Sequence, residues 1–272
     1  MVMTLTSGWT NTLMILTNIT EDNKNLIDIY HQLRENAFVS DGSFIADSPK
    51  VINLLLNQGI EIKSILATKE YYEKYSELIE TKEIPTLFIA TKEQMQSIVG
   101  HKIHHNAMMH GIRPKQTSLN KLDKQIIMLD NITSTENVGS IARSAVALGV
   151  NSYLLPKESP SPYARRSLRV SMGHIGMMKF HIYDNIFETI KELKSYGYKI
   201  LAAEVTQDST PLSKLKTPDK WVLLMGHEGK GISSEVLEIC DEVVTIEMVQ
   251  GVKSFNVGVA SSIIMYKLQN NT

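Results

Sequence analysis

Residues 221–233 read WVLLMGHEGKGIS: an apolar run from Trp221 to Met225 leads straight into Gly226, His227, Glu228, Gly229, Lys230 and Gly231, after which helix-compatible residues begin. A run that is apolar on both alternating faces is the pattern of a central strand covered by helices on both sides. Glycines packed so closely behind it let backbone approach a bound group. Two familiar readings fail on spacing: a P-loop needs four residues between its first Gly and the Gly-Lys-Ser/Thr, and the zinc-protease motif needs a second His four residues after the first. A dinucleotide fingerprint fails as well, because the order is Gly-x-x-Gly-x-Gly and no βαβ unit follows to carry a ribose-binding acid about 20 residues on.

The same alternation of strand and helix patterns extends on both sides. Upstream lie QIIMLD (125–130), a helix from about Val138 to Leu148, NSYLLP (151–156), helix-compatible ARRSLRVSM (164–172) and KILAAEV (199–205). Downstream lie ISSEVLEIC (232–240), EVVTIEM (242–248), whose VVTIEM portion also reads as a central strand, and a last apolar helix from about Asn256 to Leu268. Such alternation predicts an α/β fold. Residues 25–115 show a smaller version of it, with strand candidates Ile62–Ala67 and Thr86–Ala90 among short helical patterns, and predict a small αβα sandwich. Between the two, PKQTSLNKLDK (114–124) is polar and lacks an apolar period. The expected organisation is an N-terminal extension over 1–24, a first domain over 25–115, a linker over 116–123 and a second domain over 124–272.

Composition narrows the class. At 272 residues, with 43% hydrophobic and 21% charged residues, 15 Gly and 8 Pro, the chain is long enough to bury a core and is neither low-complexity nor disordered in character. The single cysteine, Cys240, excludes an intramolecular disulfide and multi-cysteine metal sites, which fits a reducing compartment, the cytoplasm. The N-terminal residues MVMTLTSGWTNTLMILT lack a basic start and no run of 18 apolar residues occurs, so neither secretion nor a membrane span is expected. A net charge of −1 means that nucleic-acid binding would have to come from local patches. His101, His104, His105 and His110 lack carboxylate or cysteine companions and read as loop histidines rather than a metal site.

Two further stretches carry chemistry. DNITSTENVGSIARSAVALGV (130–150) runs from a strand end into a helix containing Asn137, read equally as a helix cap, and Arg143, a charge among Ile141, Ala142, Ala145 and Val146 that reads as facing the interior. TIEMVQGVKSFNVGVASSIIMY (245–266) is a strand, a loop with Gly251, Lys253 and Ser254, and a helix with small residues Gly258, Ala260, Ser261 and Ser262; Ser254 or Asn256 reads as its cap.

Together the three stretches resemble the SpoU family of the SPOUT methyltransferase superfamily: Asn137–Ala145 is similar to its NxGxIxRxA, Gly226–Gly231 to its Gly-x-Glu-Gly-x-Gly, here Gly-His-Glu-Gly-Lys-Gly, and Ser254–Asn256 to its Ser-Leu-Asn. Departures are His227 where Asn is common, Phe255 where Leu is usual and Glu247 where Pro is usual. The first domain looks like the RNA substrate-binding domain often fused ahead of this one, and NAMMHGIRP (106–114) resembles its end.

The resemblance implies a catalytic domain with a deep trefoil knot, a homodimer, and S-adenosylmethionine held near Gly226, Gly229, Ile246, Met248, Gly251 and Phe255, with no metal. It implies methyl transfer to a ribose 2′-hydroxyl of tRNA or rRNA by Asn137, Arg143, Glu228, Ser254 and Asn256. An arginine is a poor proton acceptor, so the role expected of Arg143 is to hold the adjacent phosphate and hydroxyl and stabilise oxyanion charge. Ser254 and Asn256 would orient the sugar, and Glu228 would position Asn137 or Arg143. Arg165, Arg166 and Arg169 in YARRSLRVSMG (163–173) are expected to share a helix face toward RNA phosphates. The rival readings are a catalytically inactive RNA-binding or ribosome-assembly protein of the same fold, against which the intact Arg143, Glu228, Ser254 and Asn256 speak, and an open α/β nucleotide-dependent enzyme, for which no phosphate motif exists.

Overall fold

The computed structural model describes residues 2–6, 13–34, 41–99 and 106–270. Along the chain run β1 (Val2–Thr6), β2 (Leu13–Asn18), β3 (Ser43–Asp47), α1 (Pro49–Leu56), β4 (Glu61–Ala67), α2 (Lys69–Glu80), β5 (Thr86–Ile89), α3 (Lys92–Val99) and β6 (Ala107–Ile112). They are followed by β7 (Gln125–Leu129), α4 (Thr135–Ala147), β8 (Ser152–Pro156), α5 (Arg165–Val170), β9 (Lys179–Tyr183), α6 (Ile186–Ser195) and β10 (Lys199–Ala203). The chain then continues through β11 (Thr210–Pro211), β12 (Trp221–Met225), α7 (Ser234–Glu238), β13 (Glu242–Thr245) and α8 (Val257–Asn270). These elements form two units, Met1–Pro114 with Tyr163–Gly176, and Lys115–Pro162 with Met177–Thr272.

The first unit is built on a mixed sheet in the order β1-β2-β5-β4-β6-β3. Strands β2, β5 and β4 are parallel, while β6 runs antiparallel to both of its neighbours. The helix α1 starts at Pro49, whose fixed φ suits a first turn, and buries Val51, Ile52, Leu55 and Leu56 on one face. The stretch 1–24, read as an extension, supplies β1 and β2 to this sheet. His101, His104 and His105 lie outside the described residues.

Tyr163–Gly176, expected in the second domain, packs within the first unit. The Tyr163 ring lies 5.0 Å from that of Phe44, and Arg165 Nε donates to Asp47 Oδ2 at 2.7 Å, with Arg169 3.7 Å from the same oxygen. Asp47 is almost fully buried, so a cationic partner offsets the desolvation of its carboxylate. Of the three arginines expected on one face toward phosphate, Arg165 and Arg169, four residues apart, meet Asp47 instead. Arg166 on the same helix is exposed.

The second unit is an all-parallel sheet in the order β11-β13-β10-β12-β7-β8-β9. Every residue of β8 and β12 is buried, as central strands require. VVTIEM is shorter and more peripheral than expected: β13 ends at Thr245 beside the two-residue edge strand β11, and only Val244 of it is buried. The stretch 116–123, read as a linker, is part of this unit. Leu119 and Leu122 join a core that includes Ile126, Leu154 and Val222, a pair of anchors too sparse to show as a sequence period. Parallel strands send their following loops out at one end of the sheet, which gathers residues 130–134, 226–233 and 246–256 at the C-terminal ends of β7, β12 and β13.

Candidate functional site

Ser134 opens α4: its Oγ accepts from the backbone N–H groups of Glu136 (3.2 Å) and Asn137 (3.4 Å). Asn137 is therefore not the cap, and its amide is free to reach across to the glycine loop. Its Nδ2 donates to Glu228 Oε1 at 2.9 Å. The same oxygen accepts from the Ser134 N–H at 3.2 Å, and Glu228 Oε2 accepts from the Thr133 N–H and hydroxyl at 3.2 and 3.3 Å. Asn137 Oδ1 in turn accepts from Asn256 Nδ2 at 3.2 Å. Asn256 caps α8, its Oδ1 accepting from Gly258 N–H at 2.9 Å and Val259 N–H at 3.4 Å. One polar chain, Glu228 to Asn137 to Asn256, thus joins all three loops, and of the two partners expected for Glu228 it is Asn137 that the structure provides.

A carboxylate at a helix N-terminus is favoured by the helix dipole. Partial burial pushes the Glu228 carboxyl up, but hydrogen bonds from Asn137 and from backbone N–H groups outweigh it and hold it below its usual 4.5. A depressed carboxyl stabilises the fold fully above its unfolded value and loses that contribution as pH falls through the folded one. Glu228→Gln, which turns one acceptor into a donor facing donors, is expected to lower the melting temperature by roughly 2 °C at neutral pH. The difference from the unsubstituted protein should be flat from about pH 6 to 8 and shrink toward about pH 4; a difference that grew on acidification would contradict this arrangement.

Beside this chain lies a cavity of about 300 Å³ walled by the glycine loop, the ends of β10, β12 and β13, and the start of α8. Gly226, Glu228, Gly229, Ile246, Met248, Ser254 and Phe255 line it. Gly251 does not; it sits at φ +94° with open space around it, serving the turn. Asn137, Arg143 and Asn256 also lie outside the lining. Arg143, expected to face inward, is exposed on α4: the small neighbours Ala142 and Ala145 are the buried ones, and a helix turns its charge the other way.

The loop itself is tightly closed. His227 and Gly231 exchange two backbone hydrogen bonds (3.2 and 2.9 Å), and His227 Nδ1 accepts from the N–H groups of Gly229 (2.9 Å) and Lys230 (3.3 Å). Sequence reasoning missed Glu204, which lines the cavity and accepts from Ile232 N–H at 2.9 Å, bracing the loop from β10. The available signal was an acid at the C-terminal end of the strand KILAAEV, where open parallel sheets place ligands. Glu247 turns away from the cavity lining: its carboxylate accepts from the N–H and hydroxyl of Ser213, the hydroxyl bond chiefly holding it below the usual range. Helix α8 meets α4 closely, a Cβ on Gly258 being 2.6 Å from Ser140 Oγ. Among the described residues no cluster of three His, Cys, Asp or Glu side chains is placed to hold a metal, and no helix is long and apolar enough to cross a membrane.

A parallel α/β unit with three loop motifs joined at one sheet end, beside a small cavity, defines a class of ligand-binding domain, and comparison places it further. The profile of the SpoU rRNA Methylase family matches residues 124–266. The chain belongs to that family. A Staphylococcus haemolyticus protein named for the TrmH family of tRNA/rRNA methyltransferases is 32% identical over 143 residues, 53% of this chain and 57% of the relative. The 23S rRNA (guanosine-2'-O-)-methyltransferase RlmB of Neisseria meningitidis is 31% identical over 140 residues, 52% of this chain and 56% of the relative. The chain spans a little over half the length of these relatives. An AdoMet-bound rRNA methyltransferase from Sinorhizobium meliloti shares the fold, with a TM-score of 0.80 at 18% identity over 93% of this chain and 97% of that one.

Proposed function

We propose that this chain is an S-adenosylmethionine-dependent RNA methyltransferase that modifies a ribose 2′-hydroxyl of tRNA or rRNA. The observation that carries the reading is the polar chain Glu228–Asn137–Asn256 set beside the cavity. The cavity suits the cofactor: its floor is Gly226, where a Cβ would collide with the loop behind it, and its walls are loop backbone with apolar Ile246, Phe255 and Ile264. When bound there, S-adenosylmethionine supplies an electrophilic methyl carried on a sulfonium.

The residues of the chain then have distinct tasks. Gly226, Gly229, Ile246, Met248 and Phe255 hold the cofactor, and Ser254 at the cavity edge, with Asn256, orients the sugar. Asn137, fixed at both ends of its amide, supports that alignment, which matters because a ribose hydroxyl is a weak nucleophile. Arg143 binds the phosphate beside the hydroxyl and stabilises negative charge as it develops on oxygen. Arg166, exposed on its helix, contacts RNA in this reading.

This reading includes a knotted C-terminal domain and a twofold homodimer in the cytoplasm. Support for the dimer comes from Val259 and Tyr266, apolar side chains left 47% and 61% exposed on α8, and from the exposure of Arg143, which would complete its task against a neighbouring subunit. Calorimetry is expected to show binding of S-adenosylhomocysteine and none of ATP or NAD. Ribose methylation mapped in RNA from cells with and without the protein should then differ at a position made alkali-resistant. Binding of ATP or NAD in place of S-adenosylhomocysteine would overturn the reading.

A further inference from the structure

The second unit holds another cavity, of about 800 Å³, on the other side of the glycine loop: His227, Lys230 and Gly231 line both spaces, so the loop is their common wall. Its remaining lining includes Thr133, one of the donors to Glu228, which sets it directly beside the polar chain of the candidate site. We propose that this second cavity is a nucleobase subsite that receives an unstacked guanine of the RNA substrate; the inference rests on the RNA methyltransferase reading and names the base it would select.

The groups facing the cavity divide into those already occupied and those left over. Asp130 is buried and its Oδ1 accepts from Asn131 Nδ2 at 2.7 Å. Glu158 is exposed and makes no hydrogen bond or ion pair with the described residues, the neighbouring Lys157 being turned to Asp184 at 3.2 Å. Phe187 is 45% exposed although its backbone is tied down, its N–H donating to the capping Asn185 Oδ1 at 2.9 Å. An aromatic ring nearly half exposed at a cavity rim offers a flat apolar face to a ligand. Unpaired RNA bases are recognised by stacking on such rings and by hydrogen bonds to their edges.

Edge chemistry chooses the base. The two oxygens of the Glu158 carboxylate are acceptors, and the adjacent N1–H and N2–H donors of guanine match them. Adenine offers an acceptor beside a single amino group, and uracil one N–H flanked by carbonyls. Lys230, also in the lining and exposed, supplies a cation for the phosphate of the same nucleotide.

The test uses the full chain and fluorescein-labelled single-stranded RNA octamers of uridine with one central guanosine, inosine or adenosine, read by fluorescence anisotropy. The guanosine octamer is expected to bind at least about fivefold tighter than the other two, and Phe187→Ala to weaken it by at least about fivefold, the scale of one base stacked on a ring. Glu158→Gln should remove the difference between guanosine and inosine, which lacks the N2 amino group. Equal affinity for all three octamers, or unchanged affinity in Phe187→Ala with an unchanged melting temperature, would overturn the subsite. A parallel titration with S-adenosylhomocysteine keeps the two readings apart: a chain that binds it without preferring guanosine loses only the subsite, and a chain that ignores it loses the methyltransferase reading while the octamers still decide the subsite.

Discussion

Gly226→Val is expected to weaken S-adenosylhomocysteine binding by about 5- to 150-fold, the range that overpacking costs of about 1–3 kcal/mol in a filled site correspond to. The reason is internal to the loop. A Cβ at position 226 would stand 2.5 Å from Ile232 Cγ1, 2.7 Å from the Gly231 carbonyl carbon and 2.8 Å from Ile232 N. Two of these atoms are backbone, so no rotamer change relieves the overlap. The loop must move, and with it go the His227–Gly231 bridge and the bond from Ile232 N–H to Glu204. The conflict thus lies between the side chain and the far limb of the loop that forms the site. Gly226→Ala should therefore fail in the same direction and lower the melting temperature, whereas Gly229→Ala, whose Cβ would meet only the His227 ring at 3.8 Å within the chain, should leave the loop and the melting temperature unchanged. Calorimetry on the three variants decides the matter, and wild-type affinity in Gly226→Val would remove Gly226 from the site.

Arg143→Ala is expected to lower single-turnover methyl transfer by at least ~100-fold, the scale of a lost oxyanion-stabilising donor, while leaving cofactor affinity unchanged. Its side chain is exposed on α4 and outside the cavity lining, so neither the pocket nor the fold depends on it. The melting temperature should stay within the narrow range of ordinary surface substitutions, which separates a role in chemistry from one in structure. Lysine should rescue only in part, because a point charge does not reproduce the planar fork that spans phosphate and hydroxyl. A full rate in Arg143→Ala, or methyl found on a base, would sink the ribose chemistry.

Much of this was legible in the chain. The runs at 126–129, 153–155 and 221–225 became buried parallel strands, because a strand covered on both faces is largely apolar along its whole length. The loops after β7, β12 and β13 could be singled out from residue types alone, and parallel connection brings them to one end of the sheet. The last helix, expected over Asn256–Leu268, spans Val257–Asn270 with Asn256 as its cap.

What stayed hidden depends on partners far away in sequence. Ser134 and Asn137 are both good caps by type; only the arrival of Glu228, 91 residues after Asn137, decides that Ser134 caps and Asn137 bridges. Glu204 is an unremarked acid until Ile232 N–H reaches it, and Arg165 and Arg169 read as a free basic face until Asp47 is set against them from 118 residues upstream of Arg165. Leu119 and Leu122 look like isolated apolar residues in a polar connector until the sheet gives them a surface to cover. The sequence by itself determined the kinds of elements, their order and the residue types at each loop, since these follow from local periodicity and side-chain chemistry. The tertiary structure alone decided which polar groups face one another, since a hydrogen bond needs its partner within about 3 Å and that distance is set by the packing of the whole sheet.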